Sequence, residues 1–403
     1  MSENLVKIHE KLQDNVARSV NSYGCQQEVI NQINYVKNKG EYKGAKKVLV
    51  IGASSSYGLA SRITQAFGAG ADTIGVSFER PVKDKTMLGT PGWWNNIYFK
   101  QEAQKEGLIA KNFLGDAFTH QMKQQVIKYI QTEFGGQIDL LIYSVAAPKR
   151  TNPDNPDEVW RSQIKPIGQN VSGYNINLEK NALFYQTIAA ASQQEIAATI
   201  KVMGGEDWEI WVKELKAAGV LASGFKTILY SYIGSPATYA FYHEGTLGRA
   251  KADAEKSAHK IQKHINDIKG QALISVSTAV TTKASVVIPI FPLYCIALYK
   301  VMLKKGTHET PIMQKDRLFR DMVYGKKAQI DSHGRLRPDA WELDSDTQKQ
   351  TVDLMNKITP ANFNTDLTAY DTFRKEFLQI NGFEVAGIDN TTVNYDEITK
   401  LKP

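Results

Sequence analysis

Cysteine is nearly absent. Cys25 and Cys295 are the only two among 403 residues, too few for a disulfide framework. The expectation is a pair of reduced structural thiols in a cytoplasmic protein. The opening segment MSENLVKIHEKLQDNVAR lacks the apolar centre of a signal peptide. One stretch calls for a membrane check, Ala284 to Leu303. It is uncharged only from Ala284 to Tyr299 and is interrupted by Pro289 and Pro292. That is too short for a bilayer, so buried loop and helix beside a hydrophobic pocket are expected, with no membrane insertion. Charge of one sign is also scarce. Lys plus Arg number 49 and Asp plus Glu 42, a dispersed net charge of +7. This permits an anionic ligand but offers no clustered basic stripe, so no nucleic-acid partner is expected. The seven histidines are scattered, and His259 and His264 stand five apart, a poor helical spacing for metal ligands, so no metal is expected. No G-x4-G-K-[ST] loop supports nucleoside triphosphate hydrolysis. Repeats and low-complexity tracts are absent as well.

What is present is an ordinary globular balance, 42% apolar and 23% charged, with short apolar runs alternating with helical patterns. KKVLVIGAS ends a strand near Ile51, and YGLASRITQAFGAG follows as a helix. TIGVSFE forms a second strand, ending near Glu79, then WWNNIYFKQEAQKEG a helix and LIAKNFLGDA a third strand. HQMKQQVIKYIQTEFGG is amphipathic, with Val126, Ile127 and Ile130 on one side, and IDLLIYSVAAP is a nearly continuous apolar strand of the kind covered on both faces. Helices are expected at Gln193–Met203, Asp207–Ala218 and about 247–268, with further strands at FKTILYSYIG and ALISVSTAV. The alternation predicts an α/β fold, a Rossmann-like doubly wound parallel sheet flanked by helices. With no second core evident, residues 1–403 are expected to form one enlarged domain. Its core spans about 46–303, with an insertion at about 149–180 and a helical extension at about 309–403.

GASSSYGLASR, Gly52 to Arg62, joins the first strand to its helix. A glycine turn there lets backbone approach a pyrophosphate, whose charge then faces helix N-terminal amides. The spacing is Gly52-x5-Gly58 rather than G-x-G-x-x-G, so the loop alone is a weak signal. Its context strengthens it. Glu79 lies 27 positions past Gly52, where a carboxylate accepts from the adenosine ribose hydroxyls and repels a 2′-phosphate, favouring NADH. Arg80 beside it can pair with a phosphate and leaves NADPH use open. Asp116-Ala117 and Ser144 to Ala147 follow the third and fourth strands, at the sheet edge where ligands bind. Asp116 suits either an adenine contact or a helix cap.

Tyr242 and Lys251 pose a phase problem. A helix turns about 100° per residue, so a spacing of nine leaves the two side chains half a turn apart and roughly 13 Å apart along the axis. They can converge only if Tyr242 precedes the regular helix or the helix breaks between them. Gly245, Thr246 and Gly248 supply such a break.

Together GASSSYGLASR, Phe78-Glu79, GDAF, YSVAAP, YSYIGSPATYAFYHEGTLGRAK, KASVVIPIFPLY, MGGEDW and GRLRPDAWEL resemble the FabV-type trans-2-enoyl-CoA/enoyl-ACP reductases. These are an enlarged branch of the short-chain dehydrogenase/reductase superfamily with a Tyr-x8-Lys signature. Nearly the whole chain is covered, and Ser56 stands where a glycine is common. The resemblance implies NADH-dependent reduction of the α,β double bond of an enoyl thioester carried on CoA or acyl carrier protein, by a monomer. It implies cofactor contacts from Gly52, Ala53, Ser54, Ser55, Ser56, Tyr57, Phe78, Glu79, Asp116, Ala117, Val145, Ala146, Lys251, Val280, Thr281 and Thr282. Tyr232 would touch the acyl substrate, Tyr242 would donate the proton, and Lys251 would lower the tyrosine pKa. Residues 289–303 would wall the acyl pocket. A carbonyl-reducing relative would need a Tyr-x3-Lys pair, and neither Tyr239 nor Tyr242 has a lysine four residues on. A non-catalytic NADH sensor would keep the phosphate loop and be indifferent to loss of the Tyr242 hydroxyl.

Overall fold

A computed structural model of the chain describes residues 4–403. Six strands form the central sheet: β1 (Lys47–Ile51), β2 (Asp72–Ser77), β3 (Ala110–Leu114), β4 (Ile138–Tyr143), β5 (Leu221–Ser231) and β6 (Gln271–Val276). They pair in the order β3-β2-β1-β4-β5-β6, and every pairing is parallel. The order reverses between β1 and β4, the switch point outside which such sheets bind ligands.

The sheet forms because its strands are apolar on both faces. In β1, Leu49 and Ile51 join one core with Val126 and Ile130, while Val48 and Val50 join another with Leu318 and Phe319. This is the two-residue alternation of a strand buried on both sides. Helices α1 (Ser22–Asn38), α2 (Ser56–Ile63) and α3 (Pro91–Lys105) share a further core through Val29, Ile63 and Phe99. Helices α4 (His120–Glu133), α5 (Gln193–Met203), α6 (Glu206–Ala217) and α7 (Thr246–Ile265) follow; α6 and α7 cover the α4 side through Trp208, Trp211 and Ile261.

Several elements differ from expectation. The second strand stops at Ser77, so Phe78 and Glu79 lie in the loop beyond it. The insertion holds two hairpins, Lys149–Asn152 with Asn155–Arg161 and Val171–Asn177 with Ala182–Ile188, and runs past residue 180. Leu5–Lys7 pairs antiparallel with Thr392–Asn394, joining the two ends of the described chain. The polar loop at 331–339 is also drawn to the sheet, because Leu336 forms a parallel bridge to Ser275 of β6.

Helix α8 (Phe291–Lys305) is buried along most of its length and ends at Gly306 with φ 68°. That left-handed value is one glycine adopts freely. Helices α9 (Pro311–Arg317), α10 (Ser345–Met355) and α11 (Tyr370–Gln379) follow, and α10 and α11 pack on α8. Among the described residues, no helix is long and apolar enough to cross a membrane.

Candidate active site

The loop after β1 is built for close approach. Gly52 has φ 84°, and a Cβ there would stand 2.1 Å from the Ser144 carbonyl oxygen. Gly58, in the first turn of α2, crosses so near that a Cβ would lie 1.9 Å from the Gly52 oxygen. Ser56 opens α2 with φ 51°, a left-handed value that favours glycine. Gly58→Ala is therefore expected to force the turn apart. NADH affinity, followed by fluorescence titration, should fall at least about tenfold, or about 1.4 kcal/mol.

Glu79 faces this loop. Its Oε1 accepts from Ser54 Oγ at 2.5 Å and its Oε2 from Thr90 Oγ1. Gly92 leaves it room, since a Cβ there would meet the carboxylate at 2.0 Å. Phe78 projects outward, 77% exposed. At the end of β3, Asp116 Oδ1 accepts from the Phe118 amide at 2.9 Å, while Thr119 caps α4. Asp116 therefore organises its own turn rather than acting as the cap. The Ala117 carbonyl accepts from Trp211 Nε1 at 3.1 Å.

A cavity of about 170 Å³ opens at the carboxyl edge of the sheet. Tyr57, Val145, Ala146, Val280 and Thr282 line it, and so do Tyr232, Tyr242, Lys251 and Phe291. A second cavity of about 240 Å³ is lined by Ser55, Ser56 and Thr281. Gly52, Ala53 and Ser54 line neither, with Ala53 and Ser54 buried in the turn. Phe78, Glu79, Asp116 and Ala117 lie outside both, at the ends of β2 and β3. Of the expected wall at 289–303, Phe291 reaches the first cavity; Ile288, just before that segment, lines it too.

The phase problem resolves at Gly245. This residue is the N-cap of α7, which begins at Thr246. Tyr242 thus precedes the helix, its amide donating to the Thr238 carbonyl at 3.1 Å, and it faces the same cavity as Lys251. Its ring rests edge-on against Tyr232, centroids 4.5 Å apart, and against Phe291 at 5.2 Å.

The hydroxyls separate the tyrosines. Tyr57 donates to the Thr278 carbonyl at 2.6 Å, Tyr143 to Asp207 at 2.9 Å and Tyr232 to Glu342 at 2.7 Å, while Tyr230 pairs with Ser61. Among the described residues, the Tyr242 hydroxyl has no hydrogen-bond partner, although the residue is buried. Burial raises its pKa well above the ordinary phenol value, with Cys295, Tyr57 and Glu342 adding to the rise. The expected lowering by Lys251 is thus corrected, because loss of hydration outweighs any neighbouring cation. Lys251 Nζ donates to the Tyr230 carbonyl at 3.0 Å, and desolvation pulls its pKa down to about 8.

Two charged groups of the site escaped sequence reasoning. Glu342 is fully buried, and its Oε1 accepts from Tyr232 and from Tyr294 at 2.8 Å while Oε2 accepts from the Ala279 amide at 2.6 Å. Lys315 lies buried between the rings of Tyr57 and Tyr230, at 4.0 and 3.9 Å from their centroids, and donates to Ser277 Oγ at 2.9 Å. Each arrives from the C-terminal extension, 48 to 110 residues from its partners for Glu342 and 38 residues from Ser277 for Lys315, and no local spacing announces such a contact.

Comparison with known proteins follows this geometry closely. The catalytic region of trans-2-enoyl-CoA reductase matches residues 87–324, and the NAD(P)H binding domain of that enzyme matches residues 7–84. A third description, an enoyl reductase FAD binding domain, matches residues 330–393. That segment supplies Glu342 and two helices packed on α8, with no strand–glycine turn–helix unit. It does not fit a flavin dinucleotide. The chain is 51% identical to an enoyl-[acyl-carrier-protein] reductase [NADH] 2 of Photobacterium profundum, covering 96% of this chain and 97% of that one. It is 48% identical to a trans-2-enoyl-CoA reductase [NADH] of Clostridium beijerinckii, over 96% and 98%. The crystal structure of the Clostridium acetobutylicum trans-2-enoyl-CoA reductase in complex with NADH superposes with a TM-score of 0.95 at 46% identity, over 98% of this chain and 100% of that one. Sequence and fold agree, and the chain belongs to the trans-2-enoyl-CoA reductase family.

Proposed function

We propose that the protein reduces the carbon–carbon double bond of trans-2-enoyl thioesters with NADH, with Tyr242 as proton donor. The observation that carries this reading is the pairing of an unpartnered phenol, Tyr242, with Lys251 on one cavity at the carboxyl edge of a doubly wound sheet. The cradle for the cofactor is the turn in which a Cβ on Gly52 or Gly58 would collide with backbone, followed by α2, whose N-terminal amides suit a pyrophosphate. Gly52 to Tyr57, Glu79, Asp116, Val145-Ala146 and Val280 to Thr282 would hold it. When bound, NADH supplies a hydride to the substrate β-carbon.

The remaining chemistry falls to side chains. Charge accumulates on the thioester oxygen as the double bond is reduced, and a phenol aimed there stabilises it where it develops. Because burial raises the Tyr242 pKa, the hydroxyl stays protonated at neutral pH and is always in its donor form. Lys251 spends one of its three ammonium hydrogens on Tyr230 and keeps two for the ribose hydroxyls. Tyr232 and Phe291 present ring faces and edges to the acyl chain.

The names of the relatives support both CoA and acyl-carrier-protein thioesters as substrates. We extend the reading to a monomeric, cytoplasmic enzyme of fatty-acid metabolism that works as one enlarged domain. Its test is NADH oxidation across acyl lengths on both carriers: turnover with at least one supports the reading, and none with any removes it.

Glu79 would set the cofactor preference. Glu79→Gln keeps the shape and removes the charge that repels a 2′-phosphate. The ratio of kcat/KM with NADPH to that with NADH should rise roughly tenfold, or about 1.4 kcal/mol. An unchanged ratio would assign the preference elsewhere.

A further inference from the structure

Two tyrosines stand at the reacting end of the cavity, and only one can be the acid. Their rings touch, both line the same space, and both follow β5 within 11 residues. What separates them is a carboxylate from a distant part of the chain. Glu342 follows the short turn Pro338–Trp341 and reaches into the site with no exposed surface. A carboxylate accepts only, so the Tyr232 proton points into Oε1 and away from any substrate. Tyr294, on α8, makes the same commitment and also accepts from Gln348 Nε2 at 2.9 Å. Oε2 holds the Ala279 amide, immediately before Val280 to Thr282. One side chain thus ties together the segment after β5, the loop after β6 and α8.

Resting on the reading above, we propose that Glu342 is a positioning residue of the reduction: it withholds the Tyr232 hydroxyl from the reacting oxygen and fixes the Tyr232 ring as the wall against which Tyr242 works. A buried carboxylate is costly to retain for stability alone, and this one spends both oxygens on the two aromatic walls and the loop. Desolvation raises its pKa to about 7, opposed by the Ala279 amide and the Tyr232 and Tyr294 hydroxyls and reinforced by Asp339. Asp339 is itself paired with Arg337 at 2.7 Å. Cys295, Tyr57 and Tyr242 are the other titratable groups that feel its charge. Below about pH 7 the carboxyl gains a proton and loses the charge that strengthens its hold on the two phenols, so the grip on Tyr232 weakens and kcat falls on the acid side.

The test uses the full-length protein with NADH and crotonyl-CoA. In wild type, kcat should fall as pH drops through about 7. Glu342→Gln should lose about tenfold in kcat at pH 8, keep NADH affinity within about threefold, and show no inflection near 7. Tyr232→Phe leaves no hydroxyl for Glu342 to hold or release, so its kcat should show no inflection at about pH 7. The double variant Glu342→Gln/Tyr232→Phe should lose no more kcat than Glu342→Gln alone, since the two act through one contact. Independent, additive losses with an unmoved pH profile would overturn the proposal, as would a folded Glu342→Gln with wild-type kcat. If Glu342→Gln does not fold, the Tyr232→Phe profile decides: loss of the inflection supports the proposal and an inflection that remains overturns it. Absence of wild-type turnover on every enoyl thioester is a separate failure, that of the enzymatic reading itself.

Discussion

Tyr242→Phe should be nearly inactive, with kcat reduced about 1,000-fold, within the range typical of a lost general acid. The substitution removes one oxygen and leaves the ring in place against Tyr232 and Phe291. Because the hydroxyl has no protein partner among the described residues, nothing in the fold loses a hydrogen bond. The melting temperature should therefore stay within a degree or two, or rise. NADH affinity should change by less than about threefold, since the lost interaction belongs to the charge that develops during reaction. Equal losses in kcat and NADH affinity would instead mark Tyr242 as structural.

Lys251→Met should lower kcat/KM for NADH about 100-fold, the amount expected when a charge-assisted contact of roughly 2.7 kcal/mol is lost. Wild-type activity should also fall as pH rises through about 8, because desolvation sets the Lys251 pKa there and the ammonium is lost above it. Linkage gives a second readout. The folded value of about 8 lies below the ordinary 10.5, so between these limits the unfolded chain binds more protons. Stability contributed at this site therefore rises with pH across that window and is at its least below about 8. Lys251→Met should remove this rise and be no less stable than wild type at neutral pH. A variant with a normal NADH KM would sever Lys251 from the cofactor.

The sheet was legible in the chain because its strands are buried on both faces, and runs such as KVLVI and IDLLIY admit little else. Helix α1 was missed although its signals are present: Asn21 caps it, and Cys25, Val29, Ile33 and Val36 form its buried stripe. Its polar composition dilutes that stripe. The three-residue strands joining the two ends show no periodicity, since each exists only because the other lies beside it. The Tyr–Lys pair shows where spacing stops being informative. A count of nine argued against convergence in one helix, and the glycine at 245 decides the matter by letting the helix begin after the tyrosine. Glu342 and Lys315 were illegible for a plainer reason. Their side chains act across the fold, and a buried charge is recognised by its partners, which only the folded chain brings together.

The most direct test follows the isotope in the product. Crotonyl-CoA reduced with C4-deuterated NADH in ordinary water should yield butyryl-CoA carrying deuterium at the β-carbon. The reciprocal reaction, unlabelled NADH in deuterium oxide, should place the label at the α-carbon. Label on the thioester carbonyl carbon with release of an aldehyde or alcohol, or no NADH-dependent product from any enoyl thioester, would contradict the account.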